Sequence, residues 1–148
     1  VADSGIMEKM MKENVKILVV DDEAIMRNLL LKILEQEGYQ VALAASSAEA
    51  LEYLNKDCFE LVLSDVKMPE MNGFELLKII KEKWSDTAVI MMTGYGDAYT
   101  VKEALMFGAD EYITKPFKSH EISLIVERAY WRQLASKKKQ YVNSNSGT

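Results

Sequence analysis

Lys16-Ile-Leu-Val-Val20 is an uninterrupted β-type run closed by two acids, Asp21 and Asp22. A strand without polar alternation is covered on both faces, as in a parallel sheet flanked by helices. Working outward, Ile25, Leu29, Ile33 and Leu34 follow at helical spacing, and Gly38 supplies a left-handed stop. The same change of period recurs along the chain. Val41 to Ala45 reads as a weaker second strand, and Ser46-Ser-Ala-Glu49 is a capping box opening a helix from Ala48 to Leu54. Leu61-Val-Leu-Ser64 is a third strand ending at Asp65, and Pro69 and Gly73 punctuate the loop before a helix from Phe74 to Trp84. Ala88 to Met92 is the fourth strand, terminated by Thr93-Gly-Tyr-Gly96. Asp97 then caps a helix to Phe107, with Gly108 as its stop. Glu111 to Thr114 is the fifth strand, ended by Pro116, and the last helix runs from near Ser119 through Trp131 and Leu134 to Lys139. Five strand-and-helix pairs predict one α/β domain, a parallel sheet wound in both directions with helices on both faces.

The 148 residues, 49% of them hydrophobic, suffice for one core and not for two ordinary domains. Lys and Arg number 18 against 23 Asp and Glu, and the net charge of -5 repels a nucleic-acid backbone, arguing against direct DNA binding. Cys58 is the only cysteine and His120 the only histidine, so there is no internal disulfide and no zinc cluster, a pattern suited to a reducing cytoplasm. No apolar run is long enough to span a membrane. Residues 1–14 read as a cloning remnant (Val1 to Ile6) plus an N-terminal extension, 15–135 as the domain, and 136–148 as the end of a linker helix with a disordered tail.

The polar residues fall in a pattern. Asp21 and Asp22 follow strand one, Asp65 ends strand three, Thr93 follows strand four and Lys115 follows strand five. Ligands of open parallel sheets bind at these carboxyl ends, where the winding reverses. Three carboxylates brought together repel one another unless one is protonated or a cation sits among them. Hard oxygen ligands favour Mg2+, and Lys115 and Thr93 offer a cation and a hydroxyl donor to phosphoryl oxygens. The sum describes phosphoryl transfer. Nucleotide binding is disfavoured by the missing phosphate-cradling glycine loops and by Asp21-Asp22-Glu23, which would repel such a cofactor.

Ile17-Leu-Val-Val-Asp-Asp-Glu23, Asp65-Val-Lys-Met-Pro-Glu-Met-Asn-Gly73, Met92-Thr-Gly94 and Tyr112-Ile-Thr-Lys-Pro-Phe117 resemble, in order and spacing, the response-regulator receiver family of two-component systems. The likeness spans Lys16 to Leu134 and is most similar to receivers of enhancer-binding activators of the nitrogen-regulation class. It implies a flavodoxin-like strand order 2-1-3-4-5 with five helices. It also implies that Asp65 accepts a phosphoryl group from a sensor histidine kinase. Asp22, Asp65 and the backbone carbonyl of Lys67 would ligate Mg2+, with Asp21 acting through water. Thr93 and Lys115 would bind the phosphoryl oxygens, and Tyr112 would turn inward as the switch. A cis Lys115-Pro116 bond is implied too, while Lys67 and Tyr95 flank the site where they could tune dephosphorylation. The helix from Asp97 to Phe107, strand five and the last helix would form the changing surface.

Plainer readings stand beside these. Tyr112 is also compatible with an ordinary half-buried strand residue, His120 with an exposed residue at a helix start, and Cys58 with a small apolar filler or a bystander. Trp131 and Leu134 lie on a helix that outruns the sheet, which suggests a linker toward an output domain and a homodimer through it or the C-terminal face. Two other functions compete. A phosphate-independent interaction module would show loss of the acids, Thr or Lys, and a metal-dependent phosphatase would show Asp-x-Asp where this chain has adjacent Asp21 and Asp22.

Overall fold

The computed structural model describes the backbone of residues 11–94 and 98–146, and the side chains of 11–94 and 101–136. Ten elements alternate: β1 Lys16–Val20, α1 Ala24–Gln36, β2 Gln40–Ala44, α2 Ser47–Lys56, β3 Leu61–Asp65, α3 Gly73–Lys83, β4 Ala88–Gly94, α4 Ala98–Met106, β5 Glu111–Lys115 and α5 Ser119–Ser146. The strands form one sheet in the order β2-β1-β3-β4-β5, every neighbouring pair parallel. This is the expected doubly wound fold. A turn of helix at 11–13, ahead of β1, is added to the five expected helices.

Alternate residues of each strand report to opposite faces. Ile17, Val19, Leu61, Leu63, Ile90, Met92 and Ile113 join Leu30, Ile33 and Leu34 of α1 and Ile122, Val126 and Ala129 of α5. Leu18, Val20, Val62, Val89 and Met91 meet the other helices instead, among them Leu54, Leu76, Leu77, Ile80 and Ala104. The continuous apolar run of β1 thus serves two cores at once.

Several boundaries follow from caps. Ser46 accepts from the Glu49 N–H at 3.1 Å, closing the expected capping box, and the Glu49 carboxylate accepts from the Ala45 N–H. Asn72 accepts from the N–H groups of Phe74 and Glu75 and opens α3, a cap the sequence reading passed over. Gly38 and Gly108 both hold positive φ at helix ends, as expected.

Two expectations require correction. Ile25 and Leu29 do not face the core: they are 85% and 43% exposed, while Leu30, Ile33 and Leu34 carry the buried side of α1. A helix reading Ile25-Met-Arg-Asn-Leu-Leu-Leu-Lys-Ile-Leu34 has more apolar residues than one contact stripe can cover. The last helix also continues past Lys139 to Ser146, through most of the tail read as disordered. No proline or glycine interrupts the chain between Pro116 and Gly147, so nothing local ends it.

The long helix is tied to the sheet by charge. Arg128 grips the buried Glu111 carboxylate with two bonds of 2.6 and 2.9 Å, Arg132 adds a third at 2.9 Å, and Gln133 donates to Glu60 O. At the opposite end of the sheet, α3 starts hard against β3. A Cβ on Gly73 would lie 2.2 Å from the Asp65 carbonyl oxygen and 3.0 Å from Val66 Cα, both backbone atoms that cannot yield. Gly73→Ala should therefore cost about 3 kcal/mol of stability in urea unfolding; a loss well under about 1 kcal/mol would mean that the β3–α3 junction has slack.

Candidate functional site

The strand order reverses direction between β1 and β3, since the chain passes from β1 outward to β2 and then back across to β3. The carboxyl ends of these two strands therefore frame a crevice. Asp21 and Asp22 leave β1 there, and Asp65 is the last residue of β3. One carboxylate oxygen from each of the three lies within 4.8 Å of the others. Lys115, the last residue of β5, reaches across: its Nζ donates to Asp21 Oδ2 at 2.9 Å and stands 3.3 Å from Asp65 Oδ2.

Asp21 is fully buried and held from every side. Its N–H donates to Ala44 O at 3.1 Å, its Oδ1 accepts from the Glu23 N–H at 2.9 Å, and its carbonyl accepts from Arg27 Nη1 at 2.8 Å. Asp22 next to it is exposed. Burial pushes the Asp65 carboxyl above its ordinary range; Lys115 opposes this, while the Asp21 charge adds to it. For Lys115 burial alone would lower the pKa, but the hydrogen bond to Asp21 and the charges of Asp65 and Asp21 outweigh it and hold the ammonium protonated.

Thr93 lies on β4 one residue beyond Met92, the register partner of Asp65. Its hydroxyl is buried, 1% exposed overall, and has no hydrogen-bond partner among the described residues. Leaving a buried hydroxyl unpaired costs about 1–3 kcal/mol, so this donor is open to an acceptor. The three acids outnumber the one ammonium, and their oxygens are hard ligands, so this donor set is able to hold a divalent cation of the magnesium type.

The other sequence-derived residues fall as follows. Tyr112 is half-buried and packs on the second core, away from α5. Lys67 is exposed, its N–H pointing to Asp65 Oδ1 at 3.4 Å, and the Lys115–Pro116 bond is cis as expected. Tyr95 and the Asp97 cap lie outside the described residues. His120 is exposed at the start of α5, and Cys58 is exposed, so it is not an apolar filler of the core. Sequence reasoning missed Arg27, whose only signal was a cation one helical turn after an acid pair. It also missed the closeness of Gly73 to the Asp65 carbonyl, since that glycine read only as loop punctuation.

The response regulator receiver domain profile matches residues 17–127. This chain belongs to that family. The receiver is 39% identical over 125 residues to the regulatory protein AtoC of Escherichia coli K12, a match covering 84% of this chain and 27% of AtoC. It is 40% identical over 115 residues to sporulation initiation phosphotransferase F of Bacillus subtilis 168, covering 78% of this chain and 93% of that protein. Among solved structures, a receiver domain from Clostridium thermocellum superposes with a TM-score of 0.77 at 35% identity, covering 82% of this chain and 98% of the other. NtrX from Brucella abortus gives 0.83 at 32% identity, covering 86% of this chain and 29% of NtrX. The receiver thus spans about a quarter of AtoC and nearly all of the sporulation protein. Among the described residues no helix is long and apolar enough to cross a membrane.

The raised Asp65 pKa means that its ionised form is disfavoured by folding, so stability is full below the ordinary aspartate range and is lost as pH rises through the folded value. Without metal at neutral pH, Asp65→Asn should melt at a higher temperature than the wild type, and the gap should close on acidification below about pH 4. A gap that is absent at neutral pH, or that widens in acid, would contradict the account of Asp65 given by burial and charge.

Proposed function

We propose that this receiver is a phosphorylation-dependent switch in which Asp65 accepts a phosphoryl group from a sensor histidine kinase. The observation that carries the reading is the buried Thr93 hydroxyl, without a partner among the described residues, at the rim that also holds Lys115 and three acids. A bare metal site would need the carboxylates alone. A hydroxyl donor and an ammonium beside them suit an anion with several oxygens.

An Asp65 carboxylate oxygen attacks phosphorus in line. The P–N bond of the phosphohistidine breaks, its electron pair leaves with the imidazole, and an acyl phosphate remains on Asp65. Asp22, Asp65 and the Lys67 backbone carbonyl would hold Mg2+, with Asp21 acting through water. The ion would supply charge that offsets the transferring oxygens. Lys115 passes from bridging Asp21 and Asp65 to binding a phosphoryl oxygen, and Thr93 gains its missing acceptor. Thr93 moving toward the phosphoryl group frees space into which Tyr112 turns, shifting the population of the α4-β5-α5 surface. Lys67 and Tyr95 at the rim would tune loss of the phosphoryl group to water. The proposed setting is the cytoplasm, with the kinase as donor.

Incubation with acetyl phosphate and Mg2+ should add one phosphoryl mass to the intact protein. The adduct should vanish with chelator and in Asp65→Asn. No adduct on the wild type, together with failure to bind a phosphoryl mimic, would favour the phosphate-independent interaction module.

Partly exposed Trp131 and the long reach of α5 support a homodimer formed through this helix or the C-terminal face, on the way to an output domain. Light scattering with a phosphoryl mimic should give twice the monomer mass; a monomer both with and without the mimic would remove the dimer from the proposal.

A further inference from the structure

The two acids after β1 are held in different ways. Asp21 has its N–H, both carboxylate oxygens and its carbonyl all engaged. Asp22 is exposed, and the direction of its side chain depends on the peptide that joins it to Asp21. The carbonyl of that peptide accepts the 2.8 Å bond from Arg27 Nη1. Arg27 is itself rooted, since its N–H donates to Glu23 O at 3.1 Å, the first hydrogen bond of α1. A guanidinium on a carbonyl is a charge-assisted bond, stronger than a neutral one. Nothing else among the described contacts holds that carbonyl.

We infer that Arg27 is a positioning residue: by fixing the Asp21–Asp22 peptide plane it aims the Asp22 carboxylate at the divalent cation. The inference rests on the metal-dependent reading above. The helix that follows the acids thereby reaches back to set their geometry, and one side chain couples the first turn of α1 to the site.

The physics makes the sign of the effect diagnostic. A cation close to three acids repels a second cation, so if Arg27 acted through charge alone its removal would tighten Mg2+ binding. If it acts by holding the peptide plane, removal weakens binding. Lysine keeps the charge but replaces a planar fork with a single mobile point donor.

Titration calorimetry with Mg2+ alone, on the intact chain, separates these effects. Wild type should bind, and Asp22→Asn should lose measurable affinity. Arg27→Met should bind about tenfold more weakly with an unchanged circular dichroism spectrum. Arg27→Lys should fall between Arg27→Met and the wild type, and it carries the test should Arg27→Met fail to fold. Affinity equal to or tighter than wild type in Arg27→Met, or in Arg27→Lys when that variant alone folds, overturns the inference while leaving the metal site standing. A wild type that takes up no Mg2+ overturns both.

Discussion

One ammonium set between two carboxylates organises this molecule. Lys115 arrives from β5, Asp21 from β1 and Asp65 from β3, so the contact can form only if three strands stand in the right order and end at the right height. The contact is also incomplete. It leaves Asp22 over, an excess of negative charge, and a Thr93 hydroxyl with no partner among the described residues. A structure built for stability alone would neutralise the acids and pair the hydroxyl. Such a surplus suits a ligand carrying both positive and negative charge, as the switch proposed above requires.

The rest of the fold can be read as support for that rim. Each strand sends alternate residues into two separate cores, which fixes its register, since a slip of one residue would send each side chain into the core shaped for its neighbour. Gly73 lets α3 begin against the Asp65 carbonyl, and Arg27 lets α1 begin against the Asp21 carbonyl. Two helices therefore start in contact with the backbone of the acid residues they follow.

The sheet was legible because strands covered on both faces write continuous apolar runs, and the rim was legible because its acids, threonine and lysine all follow such runs. What was not legible depended on crowding and reach. Seven apolar residues on α1 compete for one stripe, and periodicity alone does not say that Ile25 and Leu29 lose. Asn72 looked like loop material until its side chain was seen to take two N–H groups. The length of α5 was underread because polarity was taken as disorder, although nothing in 140–146 breaks a helix. Arg27 and the Glu111 cluster depend on long side chains crossing between elements, which no local pattern encodes.

β5 is the element where these constraints meet. Glu111 and Ile113 face α5, Tyr112 between them faces the opposite core, and Lys115 closes the strand at the acids. The arrangement is a matter of parity. Substituting any one of these residues alters only that residue's own contacts, whereas inserting or deleting one residue within the strand exchanges the faces of the part that shifts. The length of this segment is therefore more rigidly constrained than its composition.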